Sequence, residues 1–91
     1  MRAKVDANHR AIAWTLKQTG CHVLSLAAVG NGCPDLLVYN PRTAQLHMLE
    51  VKDGEQNRRR LTPHQKRFHA DWPVVVVTCI DEALEVVSGQ H

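Results

Sequence analysis

The sequence predicts an α/β domain, a small mixed β-sheet flanked by helices in the order α-β-β-β-α-β-α. Three observations lead there. Two apolar strands are joined by Asn-Pro turn chemistry, a β-branched run stands apart downstream, and helical segments with clear start or stop signals enclose them. Ninety-one residues suit one domain over 1–91, with an apolar fraction of 44% and room for a thin core. Domains this small are often marginal alone, so self-association is a reasonable expectation.

The elements follow in order. "VDANHRAIAWTLKQTG", residues 5–20, reads as an amphipathic helix stopped by Gly20, with Val5, Ile12 and Leu16 on one face. Asn8 and His9 interrupt that face, so they lie at the rim of the core or look into a site. "CHVLSLAAV" (21–29) is a short strand, and "GNGCPD" (30–35) a flexible turn. "DLLVY" and "QLHMLEVK" are strands, and the "NPRT" between them makes a hairpin. "DGEQNRRRL" is a polar loop with little reason to fold on its own, so mobility is expected there. "LTPHQKRFHADW" starts a helix with Thr62 as N-cap and Pro63 at its first position. "PVVVVTC" reads as a strand covered on both faces, and "DEALEVVSG" as a closing helix capped by Asp81.

Composition excludes several function classes. Three cysteines (21, 33 and 79) with no CxxC pair argue against structural zinc and against a disulfide framework, and Cys21 and Cys79 read as small core residues. No apolar run approaches membrane length and no signal-peptide stretch is present, so an intracellular, reducing location is expected. No organic cofactor motif occurs. The formal charge is only +2, but its distribution is uneven. From Lys52 to Arg67, six Lys/Arg (52, 58, 59, 60, 66, 67) stand against Asp53 and Glu55, a local net of +4. Such a patch suits phosphate, with Arg58, Arg59 and Arg60 tracking a backbone and Lys66 and Arg67 extending the track, although a solvated loop is the plainer reading. His64 and His69 are five apart and off the spacing that puts two ligands on one helical face, which argues against a second metal site. Trp14 and Trp72 read as core or interface aromatics in preference to base-stacking platforms, and an aromatic content of 4% gives the single-strand stacking mode little support.

The hairpin carries the chemistry. If Asn40 pairs with Gln45 across a four-residue loop, Asp35 falls opposite Glu50, and Lys52 shares the face of Glu50. Opposed Cβ atoms are about 5 Å apart, and like charges there destabilise the pair unless something offsets them. A hard divalent ion with oxygen ligands and retained waters would do so, Mg²⁺ or Mn²⁺ fitting best, with the Val51 backbone carbonyl as a further ligand. Lys52 could then orient a water or stabilise charge on a phosphate oxygen. The plain alternative is a Glu50–Lys52 surface pair with Asp35 as a turn residue.

"CPDLLV" followed by "LEVK" resembles the PD-(D/E)XK nuclease core, the restriction-endonuclease-like fold. The wider blocks, "GNGCPDLLV", "LEVKDG", "LTPHQKRFHADW" and "VVVVTCIDEAL", resemble a virus-type replication-repair nuclease (VRR-NUC) domain over about residues 5–87. The resemblance implies Mg²⁺- or Mn²⁺-dependent hydrolysis of DNA phosphodiester bonds. By position, Asp35 and Glu50 would be metal ligands, Lys52 the catalytic lysine, and Gln65 a glutamine near the active centre. Asp6 stands where an acidic residue on the first helix is usual in the family, and His9 where glutamine is. Short stand-alone members resemble homodimeric endonucleases acting on four-way (Holliday) junctions, of viral or prophage origin in a bacterial host. The alternative is a non-catalytic DNA-binding module that keeps the nuclease fold, against which the complete Asp35, Glu50 and Lys52 set argues.

Overall fold

A computed structural model describes residues 7–89. Helix α1 (Ala7–Gln18) leads into strand β1 (His22–Ser25), followed by β2 (Leu36–Asn40) and β3 (Gln45–Val51). A 3₁₀ turn (Glu55–Asn57) precedes α2 (Pro63–Asp71), β4 (Val74–Val77) and α3 (Ile80–Ser88). The four strands form one sheet in the order β1-β2-β3-β4. β1, β2 and β3 are antiparallel neighbours, while β4 runs parallel to β3 because α2 carries the chain back across the sheet. The mixed sheet and the element order are those expected from the sequence.

Alternation along the strands divides the sheet into two unlike faces. Leu36 and Val38 of β2, Leu49 of β3 and Val77 of β4 pack with Ile12 and Leu16 of α1 and Ala83, Val86 and Val87 of α3, and this is the core. Asp35, Glu50 and Lys52 therefore belong to the opposite face, at the end that α2 approaches. The rest of that opposite face is open: Leu24, Tyr39 and Leu46 are exposed there.

The hairpin register is the one on which the functional reading depends. Asn40 pairs with Gln45 and Leu36 with Leu49. Asn40 secures the turn from within the core: its Oδ1 accepts the Arg42 backbone N–H at 3.0 Å, and its Nδ2 donates to the Val87 carbonyl of α3 at 2.8 Å. A fully buried amide that satisfies both its ends fixes turn, strand and helix together.

Four local expectations need correction. β1 stops at Ser25, because Leu26 to Val29 close a turn through a Val29 N–H to Leu26 carbonyl bond of 2.9 Å. β4 is an edge strand whose Val74, Val75 and Val76 are only half-buried, so its valine run does not signal cover on both faces. The edge is protected instead by Arg58, whose guanidinium donates to the Val76 carbonyl at 3.2 Å. α3 starts two residues earlier than an Asp81 cap requires. Cys79 is its N-cap, exposed and not in the core, and Glu82 reaches back to accept the Thr78 N–H at 2.7 Å. Finally, the polar loop after β3 contains the 3₁₀ turn and is braced through Arg58, which also pairs with Glu55 at 2.7 Å and with Glu82. These carboxylates hold Arg58 firmly charged. Burial would raise the Glu82 carboxyl, but the Thr78 and Arg58 hydrogen bonds outweigh it and hold that group below its usual range.

Asn40→Ala removes a buried partner from the Val87 carbonyl and frees the turn. It is expected to cost about 1–3 kcal/mol, read as a lower urea midpoint at unchanged slope. An unchanged midpoint would contradict the role given to this amide.

Candidate active site

Glu50 sits at the centre of the site because β3 turns it away from the core while α2 covers it. Its side chain is 4% exposed. The capping box of α2 determines what meets it. Thr62 Oγ1 accepts the Gln65 backbone N–H at 3.1 Å, and Gln65 Oε1 accepts the Thr62 N–H at 3.0 Å. The same Gln65 amide faces the sheet. Its Oε1 also accepts from Lys52 Nζ at 3.2 Å, and its Nε2 donates to Glu50 Oε2 at 3.2 Å. Gln65 thus holds the ammonium and the carboxylate in fixed relation, with Lys52 Nζ 3.7 Å from Glu50 Oε2.

Asp35 enters from the neighbouring strand. The turn before it contains Gly30, Asn31 and Gly32, all at positive φ (76°, 58° and 82°), and then the fully buried Pro34. Only glycine fits at position 32, since a Cβ there would collide with the backbone of His64. That close approach presses the turn against the start of α2. Asp35 Oδ2 accepts the Val51 N–H at 2.7 Å, which locks the carboxylate beside Glu50.

Two carboxylates crowded in this way show their strain electrostatically. Burial first, then the charge of Asp35, pushes the Glu50 carboxyl up to about 8, against a smaller opposing pull from Lys52. Burial and the charges of Glu50 and Asp35 also push the Cys33 thiol up. Glu50 Oε1 is buried and has no hydrogen-bond partner. An oxygen-only donor set with an unpartnered buried oxygen fits a hard divalent cation, held by Asp35 and Glu50 and completed by water. Among the described residues no group of three or more His, Cys, Asp or Glu side chains converges on one point. Asp6, the further acidic candidate, lies outside the described residues.

Two further residues contribute, His69, to which the sequence gives no site role, and Asn8, which it marks as polar on an apolar face. His69 Nε2 lies 4.0 Å from Glu50 Oε1, each buried without a hydrogen-bond partner. Burial, then the nearby Lys52, pushes this imidazole toward its neutral form. Its signal was present in the i,i+4 spacing from Gln65, which places both on the helix face turned to Glu50. Asn8, the polar residue that interrupted the first helix, donates from Nδ2 to the Lys52 and Thr78 carbonyls, each at 3.2 Å. It ties α1 to the ends of β3 and β4 where Lys52 emerges. His9 beside it is buried in the helix.

The basic stretch divides. Arg58 is engaged in the brace described above, whereas Arg59, Arg60, Lys66 and Arg67 are exposed. Arg67 lines a cleft of about 510 Å³ that also takes in Asp35, Gln65, His64 and the Gly30–Cys33 turn.

An acidic pair on adjacent strands, a lysine on the next residue of the same face, and a helix bearing a glutamine over them meet at one end of this α/β domain. Among solved structures the chain is similar to one described as a VRR_NUC domain, with a TM-score of 0.67 and 27% sequence identity over 90% of this chain and 91% of that chain. No protein-family model and no curated protein matches the sequence. That likeness supports a VRR-NUC domain, and with it a nuclease-type domain.

The raised Glu50 carboxyl has a definite sign in stability. The folded state keeps a proton that the unfolded chain, with its ordinary value of 4.5, releases. In metal-free protein the Glu50 contribution to stability is therefore full below about pH 4.5 and is lost as pH rises through about 8. Melting temperatures across pH 5–9 are expected to fall in wild type, to fall less with Mg²⁺ or Mn²⁺ present, and to lose this component in Glu50→Gln. A wild-type decline that Glu50→Gln and added cation both leave unaltered would contradict the assignment.

Proposed function

We propose that this domain is a Mg²⁺- or Mn²⁺-dependent endonuclease that hydrolyses phosphodiester bonds in branched DNA, including four-way junctions, as a homodimer. The observation that carries the reading is the buried Glu50 carboxylate set beside Asp35 and linked through Gln65 to Lys52. A divalent ion supplies Lewis acidity toward a phosphate oxygen and lowers the pKa of its water. Asp35 and Glu50 would hold it, with the Val51 carbonyl and Asp6 as further oxygen donors.

The chain's own groups then have separable roles. Lys52 places an ammonium where negative charge develops on the phosphate, and Gln65 keeps that ammonium aligned. Arg59, Arg60, Lys66 and Arg67 are free to meet backbone phosphates, which would make binding fall with salt. Arg58 contributes by holding the loop that presents them. The homodimer is supported by Leu24 and Leu46, 62% and 61% exposed on the open sheet face, because soluble domains seldom leave such residues grouped without a partner surface. Two sites related by a two-fold axis would suit a two-fold junction. An intracellular, viral or prophage setting accords with such a substrate.

The test is a cleavage panel of duplex, flap, fork and four-way junction in Mn²⁺. Wild type is expected to cut a branched form, and Asp35→Asn and Lys52→Ala to lose about a hundredfold or more in rate while still binding. Undiminished cutting by both variants would overturn the reading. Binding without turnover by wild type on every DNA form would replace it with the non-catalytic module.

A further inference from the structure

Next to the cleft that holds Asp35 lies a second compartment of about 450 Å³, lined by Asn31, His64, Arg67, Phe68, Asp71 and Trp72. Asn31, His64 and Arg67 border both, so the two form one continuous trough along α2. The helix creates this arrangement by its periodicity. Gln65 and His69 face Glu50, while His64, Phe68 and Asp71 follow at helical spacing on the adjoining face. Trp72 ends the helix, held by its N–H to the Phe68 carbonyl at 2.9 Å and by its own carbonyl, which accepts from Val74 at 2.8 Å. Its indole is stacked on the Phe68 ring with centroids 5.5 Å apart and planes within 20°. Phe68 is half-buried and Trp72 is 53% exposed, so the pair is a stack anchored at one end and open at the other.

We infer that this compartment receives a single unpaired base adjacent to the scissile phosphate, stacked on Trp72. The inference rests on the nuclease reading and names the feature of the substrate that the trough would select. Charge along the trough gives its polarity. Arg67, bordering both compartments, suits a phosphate. The Asp71 carboxylate at the far end repels one but accepts hydrogen bonds from base N–H groups. A base in duplex DNA is stacked between its neighbours and cannot enter, whereas one at a junction or flap can, and an exposed aromatic face binds it irrespective of identity. Trp72, which the sequence suggested as a core or interface residue, is on this inference part of the substrate site.

The experiment uses the Lys52→Ala protein in Ca²⁺, with Trp14→Phe added so that Trp72 is its sole tryptophan. A decamer of deoxycytidylate, and a duplex with and without a five-nucleotide single-stranded flap, are the probes. Trp72 emission is expected to be quenched by the decamer and by the flapped duplex, and not by the plain duplex. Trp72→Ala should weaken flap binding by about tenfold, measured by anisotropy, leave duplex binding unchanged, and be rescued by Trp72→Phe. Equal weakening on both DNA forms, or no quenching while anisotropy reports binding, would overturn the inference. So would loss of self-association in Trp72→Ala at unchanged flap preference, which would give this surface to a second copy of the chain. Cleavage by the Lys52-intact protein is scored separately. Turnover with no Trp72 effect removes only the base compartment, while absence of any turnover removes the nuclease reading itself.

Discussion

The contact between two carboxylates on neighbouring strands governs most of what surrounds it. Asp35 and Glu50 oppose one another because the hairpin register is locked, and the register is locked because Asn40 is bonded to both its turn and α3. A shift of one residue would send Glu50 into the core and Leu49 out of it. The apolar pattern therefore enforces an electrostatically unfavourable arrangement. Its cost shows in the raised Glu50 carboxyl, and it is supported by the Val51 N–H on Asp35 and the Gln65 amide on Glu50. Local strain of this kind survives only where the rest of the fold over-determines it.

The helix over the sheet is as important as the strands. α2 buries none of its residues fully, so packing alone holds it weakly. Its start is fixed instead by specific contacts: the Thr62–Gln65 capping box, the close approach of Gly32 to His64, and the Gln65 bridge between Lys52 and Glu50. One glutamine therefore serves both as a capping residue and as the link between the acidic and basic halves of the site. On the reading proposed here, movement of α2 would alter cation binding, lysine alignment and the trough together. Fold and chemistry share the same few hydrogen bonds.

Much of this was legible in the sequence for identifiable reasons. The Asn-Pro turn fixed the hairpin length and so the facing of residues 35 and 50. Thr62-Pro63 marked the start of α2 to the residue. What escaped depended on the third dimension. The valine run of β4 looked like a buried central strand, yet edge position is a property of strand order, which no local pattern records. Arg58 looked like one of three equivalent basic residues until its carboxylate partners, Glu55 and the distant Glu82, were seen. The five-residue spacing of His64 and His69 is uninformative, whereas the i,i+4 spacing of Gln65 and His69 puts both toward Glu50. Asn8 was noticed as an interruption, but its partners lie more than forty residues away, at Lys52 and Thr78. Periodicity reports which residues share a face and is silent about what that face meets.

The central claim is that a divalent cation displaces the proton that Glu50 retains beside Asp35. Titration calorimetry with Mn²⁺ at pH 7, repeated in buffers of differing ionisation enthalpy, counts that proton directly. Release of close to one proton per ion bound by wild type, with weaker binding and none released in Glu50→Gln, is the expected result. Failure of wild type to bind the ion, or binding with no proton released, would contradict it.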